Sequence, residues 1–156
     1  MVKNNNLSVL LGIAASLGGL ALSSTFAQEV PMCLGKPATI YVLNGKIVGG
    51  PDDGKEYKGT LRGTNGDDVI VGTSGVDVIF GRAGNDTICA LAGDDVVIGG
   101  PGDDYIMAGP GDDWVDTGGG DDIVKGEDGN DWIQGGPGNN QIEGGPGDNE
   151  IEYYGY

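Results

Sequence analysis

Histidine is absent from this 156-residue chain. That removes Ser-His-Asp catalysis, HExxH zinc sites and most transition-metal sites together, since each needs an imidazole as base or ligand. Basic residues are scarce: 8 Lys and Arg stand against 24 Asp and Glu, for a formal net charge of −16. The balance argues against nucleic acid as a partner, because phosphate binding depends on Lys and Arg, and it disfavours an anionic membrane surface for the same reason. Aromatics supply only 6% of the chain, and cysteines number two without a CxxC spacing, so there is no thiol metal site or dithiol redox motif. A dense acidic surface of this kind suits a hard cation.

What the chain has in excess is glycine, 33 residues, about three times the usual share. Glycine at that level without a Gly-X-Y period usually marks disorder or low complexity. Here a strict order at another period overturns that reading.

The N-terminus reads as an export signal over residues 1–27. Lys3 gives the positive flank, Leu7 to Leu22 form an apolar run, and Thr25-Phe26-Ala27 offers a cleavage site before Gln28. The alternative is a single transmembrane anchor; the run is short for a membrane span, so cleavage is expected over retention, with a secreted, extracellular product and no stable membrane insertion once the signal is cleaved. An oxidising compartment permits a bridge between Cys33 and Cys89. Spacing alone does not choose between that bridge and two separate thiols.

From Gly66, glycine recurs every nine residues through Gly75, Gly84, Gly93, Gly102, Gly111, Gly120, Gly129, Gly138 and Gly147. Two residues on run Asp68, Asp77, Asp86, Asp95, Asp104, Asp113, Asp122 and Asp131, then Asn140 and Asn149. Two further on run Ile70, Ile79, Ile88, Val97, Ile106, Val115, Val124, Ile133, Ile142 and Ile151. Three columns thus stay in phase over ten units, residues 63–152, with no insertion. Glycine at position four permits tight turning, and Pro101, Pro110, Pro137 and Pro146 at position three suit a turn. The branched residue at position eight centres a short strand such as Tyr105-Ile106-Met107 and points opposite to its neighbours. One unit buries nothing alone. Two units, eighteen residues, close a flattened coil whose position-eight side chains meet inside. Ten units give five coils, stacked at about 4.8 Å each.

Gly99-Gly100-Pro101-Gly102-Asp103-Asp104-Tyr105-Ile106-Met107 resembles the hemolysin-type (RTX) calcium-binding repeat, G-G-x-G-x-D-x-U-x, at every defined position. The resemblance covers 90 of the 156 residues. It implies an all-β fold: a right-handed parallel β-roll, a β-solenoid of about five 18-residue coils. It also implies Ca²⁺ between successive coils, held by the position-six aspartates and main-chain carbonyls. The metal ligands expected on that basis are Asp68, Asp77, Asp86, Asp95, Asp104, Asp113, Asp122 and Asp131, with Asn140 and Asn149 weaker because they are neutral.

Charge makes the ion a requirement. Residues 63–152 hold 20 acidic side chains against Arg82 and Lys125. Stacking brings like carboxylates within about one strand spacing, at roughly 1–4 kcal/mol of repulsion per pair. Divalent ions reverse that sign, so folding coupled to Ca²⁺ is expected. Flexible carbonyl and carboxylate ligation suits Ca²⁺ better than Mg²⁺. Sites that pair unit k with unit k+2 number at most eight.

Residues 28–62 differ in composition and read as an N-terminal β cap. Thr39–Leu43, Asn44-Gly45 and Lys46–Val48 form a hairpin with a type I′ turn. Leu61 falls nine before Ile70 and extends the inward column by one degenerate unit. Cys33-Leu34-Gly35-Lys36-Pro37-Ala38-Thr39-Ile40 and Asn85-Asp86-Thr87-Ile88-Cys89 look like segments of exported relatives with such repeats, and this likeness implies a Cys33–Cys89 disulfide pinning the cap to the roll. On the outer face Val78, Val96, Trp114 and Trp132 fall in one row. The row reads either as strand packing or as a strip for a surface polymer or protein partner. Residues 153–156, Tyr-Tyr-Gly-Tyr, plug the open end or serve as an attachment tail.

The function expected is a calcium-binding extracellular structural or interaction module. An enzyme is disfavoured, because the acidic pairs recur at every unit instead of once in a cleft. An ice-binding roll would need an outward array of Thr and Asn, which positions seven and nine do not supply.

Overall fold

The computed structural model describes residues 29–154. The expected export signal and the last two tail residues, Gly155 and Tyr156, lie outside the described residues. Position eight drives the fold: each unit contributes one short strand with that residue facing inward, and units k and k+2 pair in parallel. Odd units form a five-stranded sheet of Val69–Val71, Thr87–Cys89, Tyr105–Met107, Ile123–Lys125 and Gln141–Glu143. Even units form a sheet of Val78–Phe80, Val96–Pro101, Trp114–Gly119, Trp132–Gly135 and Glu150–Tyr153, joined by Thr60–Arg62 as a sixth strand. Register is kept throughout: Ile106 pairs with Ile88 and Val124, and Val115 with Val97 and Ile133. The architecture is a β-solenoid of about five turns, and the described residues contain no α-helix.

The core is the double column between these sheets. Ile70, Ile79, Ile88, Val97, Ile106, Val115, Val124 and Ile133 are all fully buried, while Ile142 and Ile151 in the last coil are half-buried because no coil covers them. At the other end the column is closed from two directions. Leu61 is buried one rung before Ile79 in the even sheet, at its expected place. Ile40 closes the odd sheet: it bridges Ile70 in parallel, and Val71 N–H donates to its carbonyl at 3.0 Å.

The hairpin forms as Tyr41–Leu43 against Lys46–Val48, with Asn44 and Gly45 at φ of 50° and 75°, as a type I′ turn requires. Ile40 is not part of it; its role as a rung of the roll shortens the expected strand. A second small pair, Met32–Cys33 with Lys36–Pro37, was not expected from the sequence. It brings Cys33 to Cys89, and the two form a disulfide. Cys33, Ala38 and Tyr41 pack there with Val69, Val71, Cys89 and Met107, so the apolar outer face of the early odd units has its cover. Among the described residues no helix is long and apolar enough to cross a membrane.

Candidate metal centre

Between strands the chain turns through positions one to six, and the turns stack along the two edges of the roll. The position-six aspartates occupy those edges and are buried, Asp77 and Asp122 completely. Their burial follows from the hydrogen bonding of one carboxylate oxygen. Asp86 N–H donates to Asp104 Oδ1 at 2.8 Å, Asp95 N–H to Asp113 Oδ1 at 2.7 Å, and Asp104 N–H to Asp122 Oδ1 at 2.9 Å. The ladder ends on Asn140 and Asn149, whose Oδ1 atoms accept from Asp122 at 2.9 Å and Asp131 at 2.8 Å.

The other oxygen is left without a partner. Oδ2 of Asp86, Asp95, Asp104, Asp113, Asp122 and Asp131 is buried and accepts no hydrogen bond. Each such atom costs on the order of 1–3 kcal/mol, more for a charge. Six in identical positions therefore point to a missing common partner. Where position one is glycine, a second oxygen lies nearby, as it does for Asp86, Asp104 and Asp131. A Cβ on Gly81 would stand 2.6 Å from Asp86 Oδ2 and 2.5 Å from the Gly99 carbonyl oxygen. At Gly99 the same place is flanked by Asp104 Oδ2 and the Thr117 carbonyl oxygen, both at 2.5 Å. In units three, five and eight the position-one glycine thus leaves a cradle between the carboxylate of unit k and a carbonyl of unit k+2; Gly63 and Gly72 have the same neighbours in units one and two, and Ala90, Ala108 and Thr117 take this position in units four, six and seven. Among the described residues no three Asp, Glu, Cys or His side chains converge. Cation binding here would draw on one carboxylate and main-chain oxygens, the hard, neutral-rich donor set that suits Ca²⁺.

Electrostatics agree. Burial pushes the Asp104 and Asp113 carboxyls up to about 7, partly offset by the N–H bonds to Oδ1, with neighbouring aspartates adding to the rise. Asp86 and Asp95 rise to about 6 for the same causes. Asp77, Asp122 and Asp131 are raised too, burial again leading. A divalent ion at Oδ2 would offset the burial that raises them.

The ten expected ligand residues do not share one environment. Oδ2 of Asp68 accepts from Thr64 N–H at 2.6 Å and from its hydroxyl at 2.9 Å; Asp77 Oδ2 is held likewise by Thr73, at 2.6 and 3.1 Å. Asn140 and Asn149 turn their Nδ2 atoms to the carbonyls of Gly136 and Gly145, at 2.8 and 2.9 Å. The orphaned Oδ2 atoms are confined to units three to eight; in unit two it is Oδ1 of Asp77 that lacks a partner.

Sequence reasoning missed a second ladder. At position five, Asn85 N–H donates to Asp67 Oδ1, Asp103 N–H to Asn85 Oδ1 and Asp121 N–H to Asp103 Oδ1, at 2.8, 3.0 and 2.9 Å. These bonds run toward the preceding coil, opposite to the position-six ladder, and their side chains are exposed. The recurrence of Asp and Asn at position five was its only sequence signal; Val76 interrupts it on the even side. The Val78, Val96, Trp114 and Trp132 row is in register on the even sheet, with the indoles of Trp114 and Trp132 stacked at 5.1 Å between centroids.

Compared with known proteins, the chain is similar to the RTX calcium-binding nonapeptide repeat (four copies), which matches residues 53–88, 62–97, 90–124, 98–131 and 116–151. No curated protein matches it, nor does any solved structure.

Proposed function

The chain belongs to the RTX calcium-binding nonapeptide-repeat family, and from that premise we propose that it is an extracellular, non-catalytic module whose roll assembles around a column of Ca²⁺ ions. A calcium-binding structural repeat is what the family supplies; export, the ligand atoms and the coupling to folding are our reading. The observation that carries it is the set of six buried Oδ2 atoms without a hydrogen bond, three of which, on Asp86, Asp104 and Asp131, lie near a main-chain carbonyl of the next coil across a position-one glycine. In this reading Asp86, Asp95, Asp104, Asp113, Asp122 and Asp131 hold the ions through Oδ2, while Oδ1 stays in the ladder. The ion supplies positive charge where burial makes a bare carboxylate costly. The same uniformity supports a non-catalytic role, since acid–base chemistry needs carboxyls whose environments differ.

Far-ultraviolet circular dichroism of the purified chain tests this. Strand signal should appear with millimolar Ca²⁺ and vanish with EDTA at neutral pH. An unchanged spectrum would refute the coupling.

Adhesion to a surface polymer or protein through the Val/Trp row is a second reading, supported by the half-exposed indoles of Trp114 and Trp132. Their nearly parallel rings face one another, an arrangement that also serves strand packing. Replacing both by Ser and measuring retention on the producing cell's surface distinguishes the two roles.

A further inference from the structure

Granted the calcium reading above, on which this rests, we infer that the ion column is bounded inside the roll: units three to eight each take one Ca²⁺, and the turns of units one, two, nine and ten are closed by protein hydrogen bonds in its place.

Two independent observations set the N-terminal boundary. The first is chemical. In units one and two the turn-facing carboxylate oxygen already has two donors, from Thr64 on Asp68 and from Thr73 on Asp77. Position two has no threonine in any later unit. The second is conformational. From unit three onward position four has positive φ, from Gly84 at 113° to Gly147 at 142°, and through unit eight so does position two, even where it is Arg82, Leu91 or Glu127. Thr64, Thr73, Gly66 and Gly75 do not. A β-branched residue resists that region. Each Thr hydroxyl instead accepts from the position-four N–H, at 3.1 Å from Gly66 and 3.3 Å from Gly75. Units one and two therefore make a different turn, whose hydroxyl and amide donors occupy the oxygen that an ion would use.

Where the ladder begins, its Oδ1 atoms lose their preceding coil. Thr39 Oγ1 donates to Asp68 Oδ1 at 3.3 Å, whereas Asp77 Oδ1 has no partner. That unpartnered atom is the ladder oxygen, not the turn oxygen.

The C-terminal boundary uses the amide. Asn149 Nδ2 stands 2.8 Å from where a Cβ on Gly144 would lie, the place Asp Oδ2 takes in earlier units. It and Asn140 Nδ2 donate to their own position-two carbonyls. An N–H₂ group there satisfies the carbonyl and repels a cation, and among the described residues no further coil stacks on units nine and ten. Ion-free turns thus close both ends, and the N-terminal one, tied to the cap by the disulfide, gives the ion-dependent coils a surface on which to stack.

Native mass spectrometry of the disulfide-bonded chain titrated with CaCl₂ tests this. Six ions should bind per chain. Asp68→Asn/Asp77→Asn should still bind six, and Asp95→Asn/Asp113→Asn should bind four. Thr64→Gly/Thr73→Gly, which restores glycine at position two, should bind eight. A wild-type count of seven or more, or loss of ions from Asp68→Asn/Asp77→Asn, would overturn the boundary while leaving the calcium reading intact. A count of zero would remove the calcium reading, and the boundary with it.

Discussion

The main-chain N–H of Asp86 donates to Oδ1 of Asp104 at 2.8 Å, across a separation of eighteen residues. This bond gives the two oxygens of one carboxylate separate tasks. Oδ1 locks adjacent coils in register, and Oδ2 faces the turn, without a hydrogen bond in units three to eight.

Substitution at Asp104 separates these tasks. Asn keeps an acceptor for Asp86 N–H, whereas Ala leaves that buried donor unsatisfied. Each variant should lose one bound ion. In saturating Ca²⁺, Asp104→Ala should be less stable than Asp104→Asn by about 1–3 kcal/mol in urea denaturation. Equal stabilities would show that the ladder bond contributes nothing.

The calcium-free chain should respond to acid in the direction opposite to most acidic proteins. Asp104 and Asp113 have folded-state values raised to about 7, and Asp86 and Asp95 to about 6, against 3.8 when unperturbed. The folded state therefore holds protons more tightly than the unfolded one. The stability this confers is fully present below the unfolded value and is lost as pH rises through about 6 to 7. In calcium-free buffer, strand signal should grow on acidification from pH 8 to 4. With Ca²⁺ present, protons compete for Oδ2 and ions should leave over the same range. A calcium-free roll that unfolds on acidification would contradict the burial of these carboxylates.

Gly102→Ala should break the stack locally. Gly102 has φ of 142°, and a Cβ there would overlap the Gly84 carbonyl of the preceding coil. The strain and overlap together should cost about 2–4 kcal/mol in the loaded state, read from thermal unfolding. A glycine lost from an open turn, as in Gly45→Asn, should cost far less, since nothing lies within 4 Å and Asn tolerates positive φ.

Loss of the Cys33–Cys89 bridge should loosen the cap first. It closes a sequence separation of 56 residues, for which chain entropy predicts about 4 kcal/mol. Cys33→Ser/Cys89→Ser should lower stability by about 2–4 kcal/mol and raise amide exchange at Met32–Tyr41 while Trp114–Glu143 stays protected. Uniform loss of protection would show that the cap and coils unfold as one unit.

The solenoid was legible because its requirements are local and repeat every nine residues. Gly102, Asp104 and Ile106 each specify a turn, an edge carboxylate or an inward side chain within one unit, and ten units in phase leave little freedom in coil length or strand pairing. The Asn44-Gly45 turn and the Leu61 rung were legible for the same reason. Less was visible of the candidate site. All eight aspartates at position six look alike in sequence, yet Thr64 and Thr73 occupy the turn oxygen of two of them.

The sequence by itself therefore determined the period, the two-sheet coil and the placement of one carboxylate per turn, because each follows from the conformational preference of a residue and its near neighbours. Only the tertiary structure decided that Ile40 is a rung of the roll, that Cys33 meets Cys89, that the two ladders run in opposite senses, and which carboxylate oxygens go without a donor. Those outcomes depend on atoms brought together from different coils, or on which conformer a turn adopts over the coil before it. Apart from the Thr64–Asp68 and Thr73–Asp77 bonds, which lie within one unit, no nine-residue window contains that information.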